Sequence, residues 1–99
     1  MSTLVIDLQD GFSADTVMIH VNGEEIYHKQ GVNTNIAISR ADSVQTQVPA
    51  GETNITISVP TKHLSRTITL QVATTLYLGI SIRGGALEVQ SSHEQLFYM

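Results

Sequence analysis

The sequence predicts an all-β domain, an antiparallel β-sandwich of about seven to nine strands. Apolar side chains recur at every second position in segment after segment, which places one apolar stripe on one face of each strand. Turn-forming residues separate these segments at intervals of about eight to twelve residues, the spacing typical of a sandwich or barrel. No segment keeps a helical apolar period, although a short turn near Thr61–Ser65 is compatible with the pattern.

Reading the alternation between turn signals yields roughly nine candidate strands. In chain order they are Thr3–Gln9, Thr16–Val21, Glu24–Lys29, Asn35–Arg40, Ser43–Val48, Thr53–Val59, Arg66–Val72, Leu76–Ile82 and Ala86–Gln90. Both prolines, Pro49 and Pro60, fall at strand ends, where the missing N–H does not interrupt a ladder.

The Asn22-Gly23 pair is the strongest local turn signal, because a two-residue type I′ loop needs positive φ at both centres and these residues tolerate it. Such a loop predicts the pairing of the strands on either side. The predicted pairs are Val21 with Glu24, His20 with Glu25, Ile19 with Ile26, Met18 with Tyr27 and Val17 with His28. Ile19 and Ile26 then share the inward face, as a correct register requires.

The outward face of this first hairpin is the candidate binding surface. It carries an aromatic side chain and a charged pair, supplied by Met18, His20, Glu25 and Tyr27. The alternative is an ordinary solvated sheet face, since cross-strand pairs of this kind are common.

Two further turns link later strands. Gly84-Gly85 predicts a tight hairpin that places Ile82 opposite Leu87 and Ile80 opposite Val89. The Pro49-Ala50-Gly51 segment predicts a four-residue hairpin loop ending at Glu52. That loop is preferred to a three-residue one because it pairs Thr46 with Ile55 and Val44 with Ile57, and a buried face specifies register more strongly than a turn does.

Composition limits the classes of function. The length of 99 residues predicts a single domain over residues 1–99, and a net charge of −4 argues against nucleic acid as a ligand. The absence of cysteine excludes disulfides and thiolate chemistry. No apolar run reaches the ~20 residues of a membrane span, and the N-terminus lacks the pattern of a signal peptide, so we expect a cytoplasmic protein.

No catalytic, cofactor or metal site is predicted. His20 and His28 fall on opposite faces in the predicted register, which argues against a shared metal ion. The carboxylates Asp7, Asp10 and Asp15 lack the alternating spacing of a calcium loop. A small hydrolase that combines these carboxylates with a histidine from a distant loop is the less favoured alternative.

The C-terminus ends in four large apolar residues, Leu96, Phe97, Tyr98 and Met99. Such a segment either packs on its own core or reaches a second subunit. Together with the low charged fraction of 14% and the scarcity of lysine, it predicts a homo-oligomer, most simply a dimer, with this tail or an exposed edge strand in the interface. The expected function is a small interaction module with a protein or carbohydrate partner; a structural subunit of a larger assembly is the alternative.

A partial resemblance agrees with this expectation. From Val17 to Pro60, an apolar strand enters Val21-Asn22-Gly23, and a later Val48-Pro49-Ala50-Gly51-Glu52-Thr53 segment precedes an alternating strand. In this it resembles PEGA domains and the wider transthyretin-like accessory domains. Their Ser-Pro-x-Gly-Ala lead-in and the Thr-Pro pair after the first hairpin are missing here. The resemblance implies a non-enzymatic β-sandwich used for attachment or interaction. We expect the sandwich to be of immunoglobulin-like or transthyretin-like type.

Overall fold

The computed structural model describes residues 2–35, 37 and 40–92, and these residues form an all-β structure. Its strands are β1 (Ser2–Leu8), β2 (Asp15–Val21), β3 (Glu24–Val32), β4 (Asp42–Val48), β5 (Gly51–Val59), β6 (Leu64–Val72), β7 (Leu76–Arg83) and β8 (Ala86–Ser92). A short 3₁₀ helix, Pro60–Lys62, lies between β5 and β6, where the sequence predicts a turn.

The strands form two four-stranded sheets. The first sheet has the order β4-β1-β7-β8 and the second has the order β3-β2-β5-β6. Neighbouring strands are antiparallel except β1 and β7, which are parallel. The prediction of an all-β, mainly antiparallel, sandwich-like fold is therefore confirmed, with one parallel pair that local alternation does not reveal.

The core lies between the two sheets and consists of the predicted apolar stripes. Its fully buried side chains come from both sheets, because alternate residues of each strand point inward. The largest of them are Leu4, Ile6, Leu8, Ile19, Ile55, Ile57, Leu78 and Ile80.

Both predicted tight hairpins are present. Asn22 and Gly23 adopt φ of 52° and 83°, and Gly84 and Gly85 adopt φ of 59° and 75°, the positive values that such turns require. The Gly84-Gly85 hairpin has the predicted register. Its central pairs are Ile82 with Leu87 and Ile80 with Val89.

A β-bulge changes the register of the first hairpin. The two pairs nearest the turn are as predicted, but Ile19 then pairs with Tyr27 instead of Ile26. One extra residue of β3 opposes β2 at this point, so that Ile26 and Tyr27 both pack against the core. The observed pairs that correct the prediction are Ile19 with Tyr27, Met18 with His28 and Val17 with Lys29.

The Pro49-Ala50-Gly51 segment is not a hairpin loop. β4 pairs with β1 in the first sheet, where Thr46 lies opposite Leu4 and Val44 opposite Ile6. β5 pairs with β2 and β6 in the second sheet. The predicted pairing of β4 with β5 is wrong because the chain crosses from one sheet to the other here, and each strand places its apolar stripe against the same core.

The candidate strand Asn35–Arg40 is also corrected. Asn35 and Arg40 pair with each other in an isolated antiparallel bridge, which a single strand containing both cannot do. Residues 36, 38 and 39 of this segment lie outside the described residues.

Candidate functional site

Three of the four residues of the predicted binding surface lie on one outward face of the first hairpin, and Tyr27 does not. His20 still pairs with Glu25, but beyond the bulge Met18 pairs with His28. Paired residues of antiparallel strands lie on the same face, so the outward face holds Met18, His20, Glu25 and His28. Tyr27 leaves this group because it pairs with the buried Ile19.

The opposed orientation predicted for His20 and His28 is therefore wrong, since the bulge brings both histidines to one face. His28 Nδ1 lies 3.5 Å from Glu25 Oε1, and both side chains are exposed. Within the described part of the chain, no three His, Asp or Glu side chains are arranged to hold a metal ion.

Tyr27 instead joins the two sheets along one open side of the sandwich. Its hydroxyl donates to Asp42 Oδ2 at 2.8 Å, and Lys29 Nζ donates to the same oxygen at 3.3 Å. Burial, reinforced by the hydrogen bond to Asp42, raises the pKa of Tyr27. Burial also raises the pKa of Asp42, but hydrogen bonds from Tyr27, from the Ser43 N–H and from Lys29 lower it more, so the net pKa lies below the ordinary value. The predicted surface tyrosine thus has a structural contact.

The carboxylates of the alternative hydrolase have separate surroundings. Asp10 lies at the surface beside Arg83, with Oδ2 to Nη2 at 3.1 Å. Asp15 is 2% exposed and forms a hydrogen bond and ion pair with Lys62 of the 3₁₀ helix. Asp7 is buried in β1, between β4 and β7. The arrangement shows no shared reaction centre for these three side chains.

A different surface, formed by β8 and its surroundings, is the strongest candidate site. An open depression of about 320 Å³ lies on the outer face of the first sheet. It is lined mainly by polar side chains, and Gly79 of the central strand β7 forms part of its lining. The lining residues are Gln9, Arg66, Gly79, Ser81, Arg83, Glu88, Val89 and Gln90.

The side chain of Gln9 lies against the main chain of Gly79 in this depression. A Cβ on Gly79 would lie 2.6 Å from Gln9 Nε2, so the Gln9 amide covers the strand only because residue 79 has no side chain. Gln9 Oε1 in turn lies 3.4 Å from the Oγ of the buried Ser81. The Arg83 guanidinium beside it contacts Asp10 and, at 3.7 Å, Glu88. The depression is therefore polar, and the charge of Arg83 is largely neutralised.

The outer edge of β8 borders the depression. Hydrogen bonds that β7 makes on its other side, away from β8, show which main-chain groups of β8 point to this edge. Ile80 O accepts from Gln9 N at 2.7 Å and Ile82 N donates to Asp10 O at 2.8 Å, so both residues direct their main-chain groups away from β8. The main-chain N–H and C=O groups of their partners Val89 and Leu87 must then point away from β7, toward the outer edge of the sheet, because such antiparallel pairs share no hydrogen bonds. Because this direction alternates along a strand, the main-chain groups of Ser91 point to the outer edge as well.

The edge of β8 is less protected than either edge of the second sheet. β3 carries two bulges, which interrupt strand addition. β6 directs Arg66 inward from its edge position, a second common form of protection. β4, like β8, has an uninterrupted register and no lysine, arginine or proline, but its first residue, Asp42, is in contact with β3. β8 has an uninterrupted register and no lysine, arginine or proline.

Among the residues that the structure describes, one side chain contacts a main-chain group on the outer edge of β8. Arg66 Nη1 donates to Leu87 O at 3.0 Å from across the open side of the sandwich. In the part of the chain that the structure covers, no strand pairs with Val89 or Ser91 along this edge. The low charge and unbroken alternation of residues 86–92 are the sequence signal for this edge, but its position in the sheet becomes visible only in the fold.

The predicted interface residues Leu96, Phe97, Tyr98 and Met99 lie outside the described residues. Among the residues that are described, no helix is long and apolar enough to cross a membrane. No protein-family profile and no curated protein matches this chain.

Proposed function

We propose that this protein is a small non-enzymatic interaction module that self-associates, most simply as a dimer, through the free edge of β8. The observation that carries the proposal is the outward orientation of the main-chain groups of Val89 and Ser91 on an edge with no lysine, proline or bulge. An added antiparallel strand would satisfy these groups, which is the basis of strand addition in general.

Charge supports a second copy as the partner. β8 carries one charged residue, Glu88, and two antiparallel copies can pair without bringing the two Glu88 carboxylates together. The low charged fraction of the chain, 14%, also reduces the desolvation cost of contact between copies.

The sandwich itself is proposed to be of the transthyretin-like rather than the immunoglobulin-like type. In an immunoglobulin constant domain the first and second strands are neighbours in one sheet. Here β1 lies between β4 and β7, while β2 lies between β3 and β5 in the other sheet. Two four-stranded sheets in this order, with a short helical turn between β5 and β6, agree with the transthyretin-like resemblance of the Val17–Pro60 segment.

The test replaces an outward N–H of β8 by proline. Ser91→Pro removes a donor from the free edge but none from the β7–β8 ladder, so the fold should persist while strand addition is blocked. We expect light scattering at tens of micromolar to show a dimer for the unaltered chain and a monomer for Ser91→Pro.

Gln71→Pro is the matched control. Asn54 O accepts from Asn22 N of β2, so the Asn54–Thr69 pair shares no hydrogen bonds. The main-chain groups of Thr69, and by alternation those of Gln71, therefore point to the outer edge of β6. Both prolines are then at the penultimate position of an edge strand. A monomeric unaltered chain, or equal loss of dimer in both variants with unchanged circular dichroism, would contradict the proposal.

A further inference from the structure

Arg66 limits which part of the β8 edge is available to a second copy. It pairs with Ile57 across β5 and β6, so it occupies an inward-facing position of the second sheet. From there its guanidinium reaches β8 and donates to Leu87 O at 3.0 Å. An added strand can form hydrogen bonds with the main-chain groups of Val89 and Ser91, whereas Leu87 O already accepts a hydrogen bond from the Arg66 guanidinium.

Within Ala86–Ser92, the described residues of β8, three antiparallel registers pair two or more residues whose main-chain groups point to the outer edge. They place Glu88, Val89 or Gln90 on the two-fold axis. With Glu88 on the axis, its carboxylate faces its own copy, which is unfavourable. That register and the one with Val89 on the axis both require main-chain pairing at Leu87. With Gln90 on the axis, Val89 of each copy pairs with Ser91 of the other, and Leu87 stays with Arg66.

We infer that Arg66 sets the register of this self-association, with Gln90 of the two copies facing each other on the axis. The inference rests on the proposed function, because it assumes pairing through β8. In this register Glu88 of one copy lies opposite Ser92 of the other, so no like charges meet. The depressions of the two copies also become neighbours, since Gln90 lines each of them. Arg66 acts here as a positioning residue.

Single cysteines test the register on a clean background, because the chain contains none. Gln90 directs its main chain toward Gly79, so a Gln90–Gln90 contact between copies is a non-hydrogen-bonded pair with Cα atoms about 4.5 Å apart. This separation allows a disulfide. Glu88→Cys is the matched control on the same exposed face, with Cα atoms roughly 13 Å apart in this register, which is too far.

After mild oxidation we expect Gln90→Cys to migrate at twice the chain mass on a non-reducing gel and Glu88→Cys to remain at the chain mass. Adding Arg66→Ala to Gln90→Cys should reduce the cross-linked fraction without reducing the dimer that light scattering measures under reducing conditions. Dimer retained without Gln90→Cys cross-linking, or equal cross-linking of both cysteines, would overturn the register, and no effect of Arg66→Ala would overturn the role of Arg66 in setting it. A monomeric unaltered chain would instead overturn the proposed function itself.

Discussion

The contact between Asp15 and the 3₁₀ helix allows a quantitative prediction. Asp15 is 2% exposed and accepts from the Ser13 N–H at 2.8 Å, from Thr61 Oγ1 at 2.7 Å and from Lys62 Nζ. Asp15→Asn keeps the size of the side chain but removes the charge and one acceptor oxygen. The attachment of the Pro60–Lys62 helix to β2 should weaken accordingly.

The size of the effect follows from the number and type of bonds lost. A hydrogen bond to a charged group contributes about 1.5–3 kcal/mol, and the asparagine retains part of the bonding. Lys62 is 34% exposed, so its ammonium can turn to water after the substitution and no unpaired buried charge remains. We therefore expect Asp15→Asn to lower the free energy of unfolding by about 2–3 kcal/mol at pH 7.

Lys62→Met should give a different response, because it leaves the buried Asp15 carboxylate without its cation. Removing one member of a buried pair costs up to about 3–5 kcal/mol. Thr61 and Ser13 still donate to Asp15, so the expected loss lies toward the lower end of this range. The double variant should lose less than the sum of the two single losses.

Urea unfolding followed by circular dichroism measures these losses, with Asp10→Asn as the control. Asp10 forms an exposed pair with Arg83, worth about 0–1 kcal/mol. The urea midpoint of Asp15→Asn should fall by roughly 1–2 M, and that of Asp10→Asn by far less. Equal shifts for the two variants would refute the reasoning.

The same contact predicts a pH dependence. Burial raises the pKa of Asp15, but the hydrogen bonds from Lys62, the Ser13 N–H and Thr61 lower it more, and the net pKa is below its ordinary value. A lowered folded-state pKa adds stability above the unfolded-state pKa of about 4, and this stability is lost as the pH falls through the folded-state value. The stability difference between the unaltered chain and Asp15→Asn should therefore narrow below about pH 4; a constant difference down to pH 2 would contradict this assignment.

Two further substitutions test the packing between the sheets. Tyr27→Phe removes the hydroxyl that donates to Asp42 at 2.8 Å and should lower the free energy of unfolding in urea by about 1–2 kcal/mol. Tyr77→Phe is the control: its hydroxyl has no hydrogen bond to another described residue, and the loss should be less than about 0.5 kcal/mol. Thr53 is fully buried, and its Oγ1 has no hydrogen-bond partner among the residues that the structure places. Thr53→Val should consequently raise the free energy of unfolding by about 1 kcal/mol, and a loss would show that the hydroxyl is bonded in solution.

Features that depend on residues close together in the chain were predictable from the sequence. Period-two alternation identified the strands and their inward residues, since burial of one face imposes that period on any half-buried strand. The turns at Asn22-Gly23 and Gly84-Gly85 were equally readable, because positive φ is favoured at few residue types. The second of these turns also predicted the pairing of Ile80 with Val89 correctly.

Which sheet each strand joins, and where a strand is irregular, depends on contacts between residues that are far apart in the chain. Residues 49–51 allow either a hairpin or a crossing between sheets, because both outcomes bury the stripes of β4 and β5 in the same core. The bulge at Ile26 depends on packing Ile26 and Tyr27 together against the core, and on Asp42 of the other sheet receiving the tyrosine hydroxyl. The edge position of β8 is likewise a tertiary property. Among the described residues, β8 pairs with β7 alone, and that order depends on the parallel contact of β7 with β1, which is distant in sequence.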